Sequence, residues 1–185
     1  MDILVSVTVL TLMSPILAVV AICVKLTSPG PMIHRRKCVD KNGYYMYKFR
    51  SMYHDAGNLI KYLTTAQIEE YHRNIKVMND PSITKIGKFL KKTSLDEFLQ
   101  LFNVLKGDMS LVGPIPLAVE EVYIYGDKLD EILSVKPGVI GYWQTHGRSG
   151  ANYDSGKKQE LEMYYVHHQS FVLDIKTLIC TAIVL

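Results

Sequence analysis

The apolar stretch Ile3–Val24, ILVSVTVLTLMSPILAVVAICV, contains no charged side chain and is long enough to cross the roughly 30 Å hydrocarbon layer of a membrane as a helix. A Ser14-Pro15 step interrupts it near its middle. Because proline has no backbone N–H, the carbonyl of Thr11 loses its helical partner, and the hydroxyl of Ser14 is placed to compensate the freed backbone groups. The stretch therefore predicts two short helical halves that meet at a bend, and a bent segment of this kind can enter the bilayer and leave by the same face.

The residues alone slightly favour an ordinary membrane-spanning anchor with a proline kink over such a re-entrant segment. Asp2 is the only charge before the stretch, and a basic cluster follows it: Lys25, Arg35, Arg36, Lys37, Lys41, Lys48 and Arg50. Such a cluster is typical of the cytoplasmic side of a membrane. A cleavable secretory signal is not indicated, because the start lacks a basic region and no small-x-small pattern precedes Lys25.

Length and composition predict one domain behind the membrane segment. The chain has 185 residues and a net charge of +3, so residues 28–185 suffice for a core of their own after a membrane helix at residues 1–27. No basic stripe with interleaved aromatic residues is present, so nucleic-acid binding is not indicated. Three cysteines without metal or redox spacing predict free thiols in a reducing compartment.

The pattern of residues 28–185 predicts a helix-rich α/β (α+β) fold. Extended segments are expected at Met32–Arg36 and Tyr44–Met52, joined by the hairpin signal Asn42-Gly43, and at Met109–Val112. Helices are expected over the ranges Asn58–Asn74, Ile83–Leu90, Ser94–Leu105, Leu117–Leu133 and Lys157–Leu185. The last of these is apolar but contains Asp174 and Lys176, so it predicts an amphipathic interfacial helix rather than a second span.

The segment Thr93-Ser94-Leu95-Asp96-Glu97 carries the most chemical content. Its two acids follow a run of lysines and are expected in the first turn of a helix, where the partial positive charge favours their ionised forms. An ionised carboxylate among cations is a nucleophile toward phosphorus, and a neighbouring carboxylate can hold Mg²⁺. The alternative is purely structural: Ser94-x-x-Glu97 before an apolar run also fits a capping box.

Two further cations fit a phosphate-binding site. Lys48 and Arg50 alternate along a predicted strand and so share one of its faces. A solvated edge strand is the structural alternative for the same pattern.

Several motifs occur in one order along nearly the whole chain: SP at 14–15, SPGP at 28–31, YKFRSM at 47–52, DPSITKIG at 80–87, KTSLDE at 92–97, LQLFNVLKGDMSLVGP at 99–114, KPGVIGYWQ at 136–144 and GRS at 147–149. Each is weak alone. Together they resemble the bacterial sugar transferase family, the monotopic polyprenyl-phosphate phosphoglycosyl transferases, in a minimal catalytic form.

The resemblance implies a transferase at the bacterial inner (cytoplasmic) membrane, with a re-entrant helix bent at Ser14-Pro15 and its catalytic domain facing the cytoplasm. It implies that Asp96 attacks a UDP-sugar, releases UMP, and passes the sugar phosphate to undecaprenyl phosphate as the first membrane step of polysaccharide or glycoconjugate synthesis. Glu97 is expected to hold Mg²⁺. The remaining residues expected at the substrate are Lys48, Arg50, Lys91, Arg148 and Asp174.

The sequence departs from the family pattern at two positions. Ile115 stands where the family has an arginine that is thought to help hold the nucleotide, and Lys91 stands where it often has arginine, so a bidentate phosphate contact becomes a point charge. Family members also often continue into a basic tail. Ile115 motivates a second hypothesis, a catalytically weak membrane scaffold of the same fold. The sugar, the polymer, homodimer formation and contacts with downstream glycosyltransferases remain open from sequence.

Overall fold

A computed structural model of the chain describes residues 1–40, 43–74, 77, 79–147 and 156–184. The chain divides into two compact units, each built from non-contiguous segments. The first, here the β3–β4 unit, comprises Met1–Val7, Arg36–Met46 and Gln100–Leu185. The second, here the α4 unit, comprises Thr8–Arg35 and Tyr47–Leu99.

The described α-helices are α1 (Asp2–Thr27), α2 (Leu59–Tyr62), α3 (Thr65–Asn74), α4 (Lys85–Thr93), α5 (Gln100–Lys106), α6 (Leu129–Ile132), α7 (Tyr142–His146), α8 (Lys157–His168) and α9 (Phe171–Val184). Shorter 3₁₀ segments cover Leu95–Leu99, Val119–Ile124 and Gly126–Lys128. The strands are β1 (Ile33–Cys38), β2 (Tyr44–Phe49), β3 (Ser110–Val112) and β4 (Gly138–Ile140). The fold is thus a helix-rich mixture of α and β structure, as the sequence predicts.

The apolar N-terminal stretch forms one continuous helix, α1, with Pro15 inside it. The hydroxyl of Ser14 donates at 2.8 Å to the carbonyl of Thr11, the acceptor that Pro15 leaves without a helical N–H. Helical structure continues through the Ser14-Pro15 step, and the bend expected there stays a prediction. Within the described part of the chain, α1 alone has the length and apolar composition to cross a membrane, and the fold is compatible with membrane association.

The α4 unit packs around the second half of α1. Leu17, Val20 and Val24 on that helix form a core with Phe49, Leu90 and Leu99. The opposite side of the helix is apolar but exposed, with Leu12 73% and Leu26 81% accessible. A helix that is hydrophobic all round and buries one side only is typical of a membrane-embedded segment.

The two extended segments expected around residue 40 pair as β1 and β2 in a two-stranded sheet. Asn42 of the predicted turn lies outside the described residues, while Gly43 has a φ of +64°. The expected helix over 58–74 is interrupted at Leu63 and Thr64. There the backbone N–H of Thr64 donates to the Gln67 side chain at 3.1 Å and the Gln67 N–H donates back to the Thr64 hydroxyl at 3.4 Å. This reciprocal cap starts a new helix, α3.

In the β3–β4 unit the two short strands run parallel, with Ser110 opposite Gly138 and Val112 opposite Ile140. Two apolar clusters surround them. One contains Cys38, Tyr44, Met46, Val104 and Met109, and the other contains Leu117, Tyr125, Ile132, Met163 and Val166.

Two longer helices predicted in this unit are wrong in extent. Residues 117–133 form two 3₁₀ segments followed by the single turn α6. Residues 157–184 form α8 and α9, separated at Gln169 and Ser170. The Leu173 N–H donates to the Ser170 hydroxyl at 3.3 Å, so Ser170 caps α9 and fixes the break.

The first turn of helix α4 closely approaches the backbone of Ser51, which follows β2. Thr84 caps the helix by accepting the Gly87 N–H at 2.9 Å and donates its own hydroxyl to the Ser51 carbonyl at 3.3 Å. A Cβ on Gly87 would lie 1.8 Å from the same Ser51 oxygen. Only glycine fits there.

We predict that Gly87→Ala destabilises the protein by about 1–3 kcal/mol or more, because the added carbon must displace the Ser51 backbone. The measurement is thermal and urea unfolding of the detergent-solubilised chain. Gly57→Ala is the matched control, since a Cβ there meets nothing within 4 Å. Equal stability of the two variants would contradict the close approach.

Candidate active site

The acidic pair lies in the 3₁₀ segment Leu95–Leu99, directly after α4. Ser94 ends α4 in the left-handed conformation, with φ 55° and ψ 16°. The expected capping box is therefore wrong: Ser94 is the C-cap of one helix, and the Glu97 side chain bonds elsewhere. The tight turn brings Asp96 and Glu97 out immediately beside the basic end of α4, where Lys91 and Lys92 lie in the last turn.

Lys48 on β2 reaches the second acid of the pair. Its ammonium donates to Glu97 Oε1 at 2.7 Å, and the two side chains are 27% and 31% exposed. A half-exposed pair of this kind contributes little to stability. Its position matters more, because it holds a cation next to the acidic pair while leaving part of both side chains accessible.

Asp96 is the more buried acid, with 7% of the residue exposed. Burial raises the pKa of its carboxyl above the ordinary value, and the neighbouring Glu97 charge raises it further. The ammonium groups of Lys48 and Lys91 act in the opposite direction and lower the pKa. Asp96 thus combines partial desolvation with nearby cations, an environment expected of a reactive carboxylate rather than a surface one.

Arg50, expected beside Lys48 at the substrate, has different contacts. Its guanidinium is buried, with the residue 4% exposed, and donates to the carbonyls of Pro29 at 2.6 Å and Ser28 at 2.7 Å. The structure thus brings Asp96, Glu97, Lys48 and Lys91 together in the α4 unit and directs Arg50 toward the end of α1. Its role in phosphate binding stays a prediction.

Asp174 belongs to the β3–β4 unit. Its Oδ1 accepts the hydroxyl of Tyr165 at 2.6 Å, and the same hydroxyl lies 3.3 Å from the carbonyl of Val112. Burial, followed by the Asp174 contact, raises the pKa of Tyr165 far above its ordinary value, so the phenol stays protonated and donates. Arg148 lies outside the described residues.

Ile115, at the position of the missing arginine, contributes its backbone instead of its side chain. Its N–H donates to Oε2 of Glu162 at 2.9 Å. Glu162 is 1% exposed, and burial raises its pKa despite the positive charge of Lys158 one turn earlier. The loop 113–116 is therefore held by a buried carboxyl group from α8.

Sequence reasoning missed Tyr165, Ser28 and Glu162 as partners of the expected site residues. Ser28 lies 22 residues before its partner Arg50. Tyr165 and Glu162 meet their partners across 9 and 47 residues of sequence, and no short-range pattern indicates such contacts.

The residues present fit a magnesium ion only if substrate and water supply most of its ligands. No group of three or more His, Cys, Asp or Glu side chains suited to a metal occurs in the described ranges. Mg²⁺, however, is commonly held by one or two carboxylates, with substrate phosphates and water completing its coordination. Glu97, which is 31% exposed and bonded through Oε1, matches that arrangement.

The sequence pattern that defines the bacterial sugar transferases, described as "Bacterial sugar transferase", matches residues 1–185. The undecaprenyl-phosphate galactose phosphotransferase of Salmonella typhimurium is 40% identical over 187 residues, covering 98% of this chain and 38% of that protein. The UDP-glucose:undecaprenyl-phosphate glucose-1-phosphate transferase of Escherichia coli is 37% identical, covering 97% and 38%. The exopolysaccharide production protein ExoY of Sinorhizobium fredii is 30% identical, covering 94% and 78%.

The chain spans 38% of the length of the Salmonella typhimurium and Escherichia coli relatives and 78% of the length of the Sinorhizobium fredii relative. The family pattern matches the chain from its first residue to its last. The chain therefore belongs to the bacterial sugar transferase family.

Proposed function

We propose that the chain transfers a sugar-1-phosphate from a UDP-sugar to undecaprenyl phosphate through a covalent intermediate on Asp96. One observation carries this proposal: a largely buried aspartate, flanked by Glu97, Lys48 and Lys91, in a chain of this family. The relatives named for undecaprenyl-phosphate galactose and glucose-1-phosphate transfer support the choice of donor and acceptor classes.

In the first step a carboxylate oxygen of Asp96 attacks the β-phosphorus of the donor. A new P–O bond forms to the carboxylate, the bond to the bridging oxygen breaks, and UMP leaves with that electron pair. Partial desolvation of Asp96 supports this role, because a carboxylate with a raised pKa is a stronger nucleophile when ionised. Lys48 and Lys91 lower the pKa and keep the ionised form accessible.

In the second step an oxygen of undecaprenyl phosphate attacks the same phosphorus. The acyl-phosphate bond to Asp96 breaks, and the carboxylate is restored. A two-step route means that the water-soluble donor and the lipid acceptor need not occupy the site together.

Glu97 is the residue that would hold Mg²⁺, and Lys48 would orient its carboxylate through the 2.7 Å bond. When bound, the ion supplies positive charge that neutralises phosphate oxygens during transfer. Lys48 is also positioned to contact phosphate directly once the donor enters, since its side chain is 27% exposed.

We further propose that α1 is re-entrant, with both ends on the cytoplasmic side of the inner membrane. Two contacts support this. The Asp2 carboxylate accepts the Ser110 hydroxyl at 2.6 Å, and the Val24 carbonyl accepts from Arg50 at 3.2 Å. Both partners follow α1 in the chain, and no second helix in the described ranges from residue 28 onward has the length and composition of a span.

A catalytically weak scaffold of the same fold is the second hypothesis, motivated by Ile115. The ordered backbone contact of Ile115 with Glu162 shows that the loop is held without an arginine side chain. The two hypotheses differ in whether the unsubstituted chain releases UMP from any UDP-sugar.

We predict that Asp96→Asn abolishes UMP release and covalent labelling by a UDP-sugar, because the amide is not a nucleophile. Removing a buried charge should leave thermal stability equal or higher, so the loss is not one of folding. The measurement is a UMP-release assay with undecaprenyl phosphate and a panel of UDP-sugars. Asp127→Asn, at an exposed position, is the charge-matched control. Full activity of Asp96→Asn would end the nucleophile assignment, and no UMP release by the unsubstituted chain would favour the scaffold.

We predict that covalent labelling by the donor declines on acidification at a pH above the value of about 4 typical of free aspartate, because the raised pKa protonates the nucleophile earlier. Lys48→Met should move this decline to still higher pH, since the lysine lowers the pKa of Asp96. Lys48→Arg, which keeps the charge, should restore its position. The measurement is the pH profile of single-turnover labelling; identical profiles in all three proteins would contradict the assigned coupling.

We predict that the two ends of α1 are labelled from the same side of the membrane. Cysteines placed ahead of Met1, and by Lys37→Cys and Lys128→Cys, are introduced separately into a chain carrying Cys23→Ala, Cys38→Ala and Cys180→Ala. An impermeant thiol reagent should modify all three in inverted inner-membrane vesicles and none in right-side-out vesicles. Opposite accessibility of the N-terminus and residue 37 would establish a spanning helix instead.

A further inference from the structure

Arg50 makes a compact set of contacts at the end of α1. Its Nη2 donates to the Ser28 carbonyl at 2.7 Å, the Ser28 hydroxyl at 2.8 Å and the Val24 carbonyl at 3.2 Å, while Nη1 donates to the Pro29 carbonyl at 2.6 Å. We call these four residues the Arg50 cap. They satisfy backbone acceptors that the last turn of a helix leaves without intrahelical partners.

The positive charge of Arg50 is compensated by these carbonyls. Within the described ranges no carboxylate lies in ion-pair distance of the guanidinium, and only 4% of the residue is exposed. The carbonyl end of a helix carries a partial negative charge, which favours a cation there. A planar guanidinium can address several acceptors at once, which an ammonium group cannot do with the same geometry.

The turn that follows α1 is shaped to receive this guanidinium. Ser28 supplies two of its acceptors and Pro29 a third. Gly30 has a φ of +115°, and a Cβ on it would lie 2.3 Å from Arg50 Nη1. The side chain of any other residue would therefore occupy the place of the guanidinium, so the sequence Ser28-Pro29-Gly30 and Arg50 depend on one another.

Arg50 also connects to the acidic pair through the chain. It follows β2 directly, two residues after Lys48, whose ammonium bonds to Glu97 at 2.7 Å. One short segment thus contacts the end of the membrane helix at residue 50 and the acidic pair at residue 48.

We propose that Arg50 is a positioning residue and not a phosphate ligand: it fastens the end of α1 to the segment that carries Lys48 and so sets the position of Asp96 relative to the lipid surface. This inference rests on the proposed function for its catalytic consequence. The four contacts of Nη1 and Nη2 are all directed at the chain's own backbone and Ser28, and Nε is buried without a partner in the described ranges, so a residue that is 4% exposed offers almost no surface to a phosphate oxygen. The step that depends on the cap is transfer to the lipid acceptor, whose phosphate stays at the membrane surface.

The test compares Arg50→Met, Arg50→Lys and Ser28→Ala in full-length chain reconstituted into vesicles containing undecaprenyl phosphate. Hydrogen exchange of the amides at residues 25–30 should rise by about tenfold in Arg50→Met, because the cap no longer holds the turn closed, and by less in Ser28→Ala, which removes one acceptor. Arg50→Lys should fall between the unsubstituted chain and Arg50→Met. Lys128→Met, which removes an exposed cation, is the control and should change nothing.

The two steps of the proposed reaction are measured separately. Covalent labelling by a UDP-sugar alone should change by less than about threefold in Arg50→Met, with an unchanged donor KM, while transfer to undecaprenyl phosphate should fall by about tenfold or more. A raised donor KM with unchanged exchange at residues 25–30 would identify Arg50 as a phosphate ligand and overturn the proposal.

Ser28→Ala keeps the test decisive if Arg50→Met is not recovered in membranes. Ser28 carries no charge and is 6% exposed, so a phosphate-binding role for Arg50 predicts no change in exchange or in lipid transfer for this variant. The exchange readout needs no substrate. If exchange at residues 25–30 changes in the variants as expected but the unsubstituted chain releases no UMP, the proposed function is contradicted. The Arg50 cap is then still supported.

Discussion

A positive charge enters the interior of the α4 unit at Arg50, and the surrounding chain is arranged to compensate it. Isolated buried charge is costly, so a guanidinium that is 4% exposed requires nearly every neighbour to be an acceptor. Here the acceptors are the last carbonyls of α1 and the residues that follow it. The end of the membrane helix, the turn at Ser28–Gly30 and the end of β2 are consequently fixed by one interaction. The apolar core formed by Leu17, Val20 and Val24 with Phe49 extends the same attachment along the helix.

The acidic pair satisfies two demands that oppose each other. A reactive carboxylate benefits from removal of water, yet the same removal favours its protonated form. Asp96 is buried, while Lys48 and Lys91 supply the opposing positive charge. Glu97 lies beside it with its side chain 31% exposed and bonded to Lys48, so the two adjacent acids have different environments and are suited to different roles. The two acids follow the left-handed residue Ser94 in a 3₁₀ segment, where consecutive side chains point in different directions.

Local patterns predicted local structure well. The paired strands around residue 40 form as expected, and the Ser14 hydroxyl donates to the Thr11 carbonyl. The errors have a common cause. A serine three residues before a glutamate fits a capping box, but tertiary contact with Lys48 takes the glutamate, and Ser94 ends a helix instead of starting one.

Long helices were predicted wherever apolar residues recurred, because short-range periodicity does not reveal where a side chain will cap the backbone. Thr64 and Ser170 each start a new helix inside a pattern that looked continuous. Arg50 and Asp174 were identified by resemblance, but their partners Ser28 and Tyr165 lie 22 and 9 residues away along the chain, beyond any local pattern. The partners of these residues are therefore not predictable from local sequence.

The Arg50 cap also imposes an order on biosynthesis. Val24 leaves the ribosome 26 residues before Arg50, so α1 can enter the lipid while its last carbonyls still lack the guanidinium. Insertion of α1 into the lipid and formation of the Arg50 cap at its C-terminal end are separate events. The second requires that β2 and Arg50 have been synthesised. A nascent chain arrested before residue 50 would thus present a membrane helix with an open C-terminal end, accessible to chaperones and proteases until the strand arrives.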